Sequence, residues 1–174
     1  MSDKVSSQFP YGVRTPLGTA SNLSKSADFN ESNLGPVGHL QQLLVVLEIF
    51  SASRTDGDET YDFYVTSGDG RSEWDIVHFP QIASTGAKRY AAVIEHNPGG
   101  ASSNRVTTAV PGVSSLESAT MKVDTAGADQ GVKTLTAGVV RHGWIGSHLG
   151  WYLDVGGTTP GPVVFSISVV AFPE

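Results

Sequence analysis

From residue 40 onward, apolar positions form short runs or alternate with polar ones, and most stretches end at a Gly-, Pro-, Asn- or Asp-rich turn. A period of two places successive side chains on opposite faces, so these stretches predict strands. Residues 43–50 (LLVVLEIF) are a nearly continuous apolar run. Leu40, Leu43, Leu44 and Leu47 also fit one helix face, but Val45, Val46, Ile49 and Phe50 favour a buried strand. After the turn Thr55-Asp56-Gly57-Asp58, Tyr61, Phe63 and Val65 alternate with Asp62, Tyr64 and Thr66, a half-buried pattern. A second turn (SGDG, 67–70) leads into 73–79, which ends at Pro80. Further strands are expected at 89–96, 105–110, 119–124 and 133–140. Leu149, Trp151, Leu153 and Val155 then alternate with Gly150, Tyr152 and Asp154. In the last run, 163–172, Phe165, Ile167 and Val169 oppose Ser166 and Ser168.

A series of strands with turns every dozen or so residues closes as two packed antiparallel sheets or a barrel. The expected fold is all-β, an antiparallel, jelly-roll-like β-sandwich over residues 39–174. Two glycines and a later Pro-Gly in 155–161 fit a tight reversal between the last two strands, placing Trp151 and Phe165 side by side on one core face.

Residues 1–38 differ. They are rich in Ser, Asn, Gly and Pro, and no period survives there. Pro10, Pro16 and Pro36 disfavour helix and inner strand. Phe9, Tyr11, Val13, Leu17, Leu23, Phe29 and Leu34 are nevertheless more apolar anchors than a solvated linker needs. The expectation is an extended N-terminal arm that orders by lying across its own domain or a neighbouring subunit. A disordered tail is the alternative.

Composition sharpens this picture. Charged residues are 16%, against roughly 25% in ordinary soluble domains. A surface of hydroxyls and glycine suits permanent contact with neighbours, because fewer charges need desolvating. Residues 1–40 are charge-balanced, and the net −6 arises from 8 basic and 14 acidic residues in 41–174. There is no basic stripe, so no nucleic-acid partner is expected. The chain has no cysteine, hence no disulfide framework. The first residues lack the apolar core of a signal peptide, and the longest apolar run, 43–47, is too short to span a bilayer. The protein is expected to be made in the cytoplasm and to have no membrane partner.

No catalytic constellation stands out, so the chain is not expected to be an enzyme, and no cofactor is implied. Gly-x-Ser-x-Gly and a phosphate-cradling Gly-Lys-Ser/Thr loop are absent. His142 and His148 flank Trp144 in a Gly-rich stretch, as candidate exposed loop contacts. Their spacing matches no helical metal pair. Asp56, Asp58, Glu59 and Asp69 sit in two turns. Carboxylates on adjacent loops can hold Ca²⁺, but the spacing is not that of an EF-hand, and solvated turn carboxylates are the plainer reading. No metal site is assigned. Asn22-Leu23-Ser24 and Asn30-Glu31-Ser32 match the glycosylation sequon without an export signal to support its use.

Two stretches carry a resemblance. One runs from Leu47-Glu48-Ile49 through Ser67-Gly68-Asp69-Gly70 to Trp74-Asp75-Ile76-Val77-His78-Phe79-Pro80-Gln81-Ile82. The other is Trp151-Tyr152-Leu153-Asp154-Val155-Gly156-Gly157-Thr158-Thr159-Pro160 with the strand after it. Their order resembles that of small β-sandwich virion proteins of tailed bacteriophages, over residues 43–172, with 97–135 matching loosely and the arm not at all. The resemblance implies a capsid decoration or cement protein on the virion surface. Its partners would be the major capsid protein and copies of itself, with a trimer favoured. The alternative is a carbohydrate- or receptor-binding head-fibre module, or another head or tail component.

Overall fold

The computed structural model describes residues 15–23, 30–32, 40–68, 71–95, 122–123, 134–141, 145–146 and 148–173. Every regular element among them is a strand. In chain order these are β1 (Thr15–Leu23), β2 (Asn30–Ser32), β3 (Leu40–Arg54), β4 (Thr60–Gly68) and β5 (Glu73–His78). Then come β6 (Lys88–Glu95), β7 (Lys122–Val123), β8 (Val139–Val140), β9 (His148–Gly156) and β10 (Pro160–Pro173). They form a four-stranded sheet, β1-β10-β3-β6, and a six-stranded sheet, β2-β9-β4-β5-β8-β7.

The pairings are nested. β1 pairs with β10, β2 with β9, β3 with β6 and β4 with β5, all antiparallel. The chain is therefore one long hairpin, and rolling it brings β10 against β3 and β9 against β4. That is the jelly-roll arrangement the alternation predicts. A short parallel pair, β7 with β8, extends the larger sheet beyond β5.

Period two explains the core. Leu43, Val45, Leu47 and Ile49 of β3, with Val163, Phe165, Ile167 and Val169 of β10, face Phe63 and Val65 of β4 and Trp151 and Leu153 of β9. All are buried. Phe165 is the central piece. Its ring lies edge-on to Phe63 at 4.8 Å and to Trp151 at 5.1 Å, both from the opposite sheet. Such contacts add about 0.5–1.5 kcal/mol beyond area burial.

Four sequence readings are narrowed or changed. First, β1 and β2 come from segment 1–38, and they are paired into the sandwich by β10 and β9. This described part of the arm lies along its own domain. Pro16 is compatible with strand because β1 is an edge, where a missing N–H is tolerated. Second, the glycines after β9 do not close a hairpin, because β9 and β10 belong to different sheets. Trp151 and Phe165 meet across the core and are not neighbours within a sheet. Third, of 134–140 only Val139–Val140 is strand, and the rest is a strap across the larger sheet. Fourth, β4 is not half-buried: Tyr64 and Thr66 are 7% and 0% exposed. Expected strand 105–110 lies outside the described residues, as does the start of 119–124.

Tyr61 links the sheets at one end. From β4, its hydroxyl lies 2.6 Å from the Ser53 carbonyl and 2.7 Å from the Gly161 carbonyl, a donor shared between β3 and β10. Burial and the nearby Glu59 charge push its phenol above the ordinary value, so the proton stays on. Tyr61→Phe is expected to cost about 1 kcal/mol by urea unfolding. Phe165→Ala is expected to cost about 3–5 kcal/mol, because its cavity opens between two sheets that cannot both collapse into it.

Candidate functional site

Two polar constellations stand out, one at an end of the sandwich and one on the outer face of the larger sheet. The first is built on the crossings between sheets. Residues 55–59 join β3 to β4, and 157–159 join β9 to β10. Both crossings must turn tightly, and Gly57 (φ 82°) and Gly157 (φ 112°) supply the left-handed backbone. A Cβ on Gly157 would also stand 2.7 Å from the Glu59 Cα, so this position needs glycine twice over.

Glu59 is fully buried in this corner. Its carboxylate accepts N–H bonds from Thr55, from Asp56 at 2.9 Å and from Gly57 at 2.9 Å. Burial works to raise its pKa, but backbone N–H groups, Asp56 foremost, outweigh that and hold it below the ordinary carboxylate value. The Arg54 guanidinium stands 4.0 Å away and donates to the carbonyls of Gly57 and Ala83. Asp58 caps the other crossing, accepting from Thr158 Oγ1 at 2.7 Å and Thr158 N at 3.1 Å.

Oxygens of Asp56, Asp58 and Glu59 lie within 4.8 Å of one another, a spacing that suits a cation. The chemistry of the donor set does not. Both Glu59 oxygens and one Asp58 oxygen already accept hydrogen bonds, and Arg54 supplies positive charge at the site. The corner is a joint between two loops, in which Glu59 and Asp58 bond to the chain's own groups.

The second constellation lies where β4, β5 and β9 turn their outer residues away from the core. Tyr64 stacks on Tyr152 at 4.4 Å and on His78 at 3.9 Å. These three are paired strand neighbours, so register brings them together. His78 Nε2 lies 3.0 Å from Asp62 Oδ1, and Gln81 donates to Asp62 Oδ2 at 2.8 Å. On its other side, His78 Nδ1 lies 2.7 Å from the Leu135 carbonyl of the strap. Asp75 Oδ2 accepts from the amides of Thr134 at 2.7 Å and Leu135 at 3.3 Å. Backbone bonds from Gly138 to the His78 carbonyl and from Arg141 to the Ile76 carbonyl complete the attachment.

The strap therefore roofs a polar face, and the pKa directions follow. Burial opposes ionisation of Asp62, but the His78 and Gln81 bonds outweigh it and leave its pKa lowered. Tyr64 is pushed up to about 12 by burial first and then by the Asp62 charge. Tyr152 is raised further, by burial and by Asp75. Tyr64, Tyr152 and His78 are 7%, 3% and 5% exposed. The His78 ring is buried with both nitrogens turned to internal oxygens, so neither is aimed at solvent.

Of the residues read from the sequence as contacts, Phe9, Tyr11, Val13, Phe29, Leu34, His142 and Trp144 lie outside the described residues. Leu17 and Leu23 fall on β1 and His148 on β9, described in backbone only. Nearby, Gly146 packs so tightly on Gly68 that a Cβ would sit 2.1 Å from its carbonyl oxygen. The sequence reading missed the Asp62–His78–Leu135 chain, whose only local signal was an aromatic at the polar beat of two strands, Tyr64 and Tyr152. No helix among the described residues is long and apolar enough to cross a membrane. No family model matches the chain, and no curated protein or solved structure matches it.

Glu59 and Asp62 both have lowered folded values. Their contribution to stability is present above the unfolded carboxylate range, about 3.9–4.3, and is lost as pH falls through the lowered values. The contribution of these two carboxylates to the urea midpoint should hold from about pH 7 to about pH 5 and decline below about pH 4. Glu59→Gln and Asp62→Asn should each lower the midpoint at neutral pH and flatten that acid decline. An unchanged acid slope in both variants would contradict the assignment.

Proposed function

We propose that the chain is a structural protein of a virus particle, a decoration or cement subunit. In this role it binds the capsid exterior, contacts the major capsid protein and associates with its own copies. The observation that supports the reading is a jelly roll in which Glu59, Asp62, Asp75 and His78, the buried or part-buried polar groups of its two constellations, bond to the chain's own groups. Jelly rolls serve in viral capsid and lectin domains, and the fold alone does not choose between them. The side chains do more. Glu59, Asp62 and His78 are engaged within the chain, which favours its surfaces and loops as the means of action. The described tryptophans do not favour a glycan platform: Trp151 is 5% exposed, and Trp74 packs against the core. The stretches that resemble phage virion proteins fall on β3 to β5 and on β9 and β10, all of them interior strands of the two sheets.

The fold also dictates how the arm is tested. Deleting residues 1–38 removes β1 and β2 and so strips an edge from each sheet. Deleting 1–14 leaves both in place. The full chain is expected to co-sediment with source capsids stripped of accessory proteins and to raise the melting temperature of the shell. The variant lacking 1–14 should keep its own unfolding midpoint and bind at least about tenfold more weakly, through lost multivalent contact. A folded full chain that ignores such shells, and that mass spectrometry does not find in purified particles, would sink the proposal. Undiminished binding by the shortened chain would remove only the arm's role.

A further inference from the structure

His78 holds the strap by a bond that depends on its own charge. Leu135 O and Asp62 Oδ1 are both acceptors, at 2.7 Å and 3.0 Å from the two ring nitrogens. A carbonyl and a carboxylate have no proton to give, so both contacts are hydrogen bonds only while the ring carries two N–H groups. A ring with one N–H serves one oxygen and turns a lone pair on the other.

We propose that His78 is a proton-controlled latch. Its doubly protonated ring clamps the strap, residues 134–141, over the outer face of the larger sheet, and loss of one ring proton to solvent loosens the strap above the Tyr64–Tyr152 stack. The inference does not depend on a virion role.

The surroundings fit a charged ring. Tyr64 presents its π-face to the imidazole at 3.9 Å, a contact strengthened by positive charge. From β4, Asp62 and Tyr64 face His78; from β9, Tyr152 and Asp154 are the register partners of those two. Asp75 of β5 stands opposite Thr66 on the same face, and the strap contributes Arg141. Three carboxylates are gathered on a covered face, and an imidazolium with Arg141 offsets two of them. When His78 is neutral, the strap is still held by Asp75 and the backbone bonds of Gly138 and Arg141. The change is a loosening and not an unfolding.

Amide hydrogen exchange tests this, read as protection factors so that the intrinsic pH dependence drops out. As pH rises from about 5.5 to about 8.5, the range over which histidine acts as a charge switch, protection at Leu135 and Gly138 should fall. The expected fall is about tenfold, the factor for one charge-assisted bond, with β9 amides paired to β4 unmoved. Asp62→Asn supplies an amide that donates to the neutral ring, so its strap should be equally protected at both values. Equal protection in the unaltered protein, or the full fall in Asp62→Asn, overturns the latch. If Asp62→Asn does not fold, nitrogen NMR of the His78 ring in the unaltered protein decides. Two protonated nitrogens at the lower pH, lost together with strap protection, support it, and a singly protonated ring there overturns it.

Discussion

Phe165 sits near the middle of β10 with its ring edge-on to Phe63 and Trp151. β10 pairs with β1 on one side and β3 on the other, and β3 in turn carries β6. The position of this one strand against the opposite sheet therefore sets the placement of the whole smaller sheet. The larger sheet is fixed from the other direction, since Phe63 and Trp151 stand on β4 and β9, its paired central strands. Everything else in the fold has to accommodate the separation that these three rings impose. The crossings at 55–59 and 157–159 must bridge it in a few residues, which is why they need glycines at positive φ.

Short crossings bring polar backbone into tight quarters, and that creates the need for Glu59. Three consecutive amides turned toward one carboxylate satisfy donors that have no strand to pair with. Arg54 then balances the charge and ties the corner to the Ala83 carbonyl of the β5–β6 connection. The same logic operates on the outer face of the larger sheet. Once a strap covers that face, each polar group beneath it must find a partner, and Asp62, Asp75 and His78 do so through strand register and strap backbone.

The sequence carried the windings of the roll well and their covers poorly. β9 and β10 were legible because one face of each is apolar at every second residue, as with Phe165, Ile167 and Val169, and β3 was legible through its β-branched Val45, Val46 and Ile49. β4 was legible as a strand, but not as one buried on both sides. Tyr64 and Thr66 occupy its polar beat, and nothing local says that residues 70 positions later will lie over them. The strap was read as strand because its composition is strand-like. Its first amides instead go to Asp75, a partner 59 and 60 residues away. The Gly-Gly and Pro-Gly pairs after β9 suit a hairpin and a sheet crossing equally, and only the core contact of Trp151 with Phe165 distinguishes them. The acidic cluster at 56–59 was visible as a cluster. That Glu59 points inward to backbone amides was not, since it depends on the loop's path.

The register of β1 bears on the proposed role. Thr15 is paired opposite Val169, so the segment from 15 to 23 is an edge strand of the fold. Fourteen residues precede it. Fully extended, they reach up to about 50 Å. A four-stranded sheet is only about 14 Å wide in the pairing direction. That reach exceeds the sheet's width in the pairing direction about threefold and about matches the extended length of the 15-residue β3. In the proposed lattice role Phe9, Tyr11 and Val13 are the anchors left for a neighbouring subunit, whereas Leu17 and Leu23 fall on β1. In a lattice role the division of labour falls at residue 15: the strands that follow give the subunit its shape, and the fourteen residues before them supply the reach.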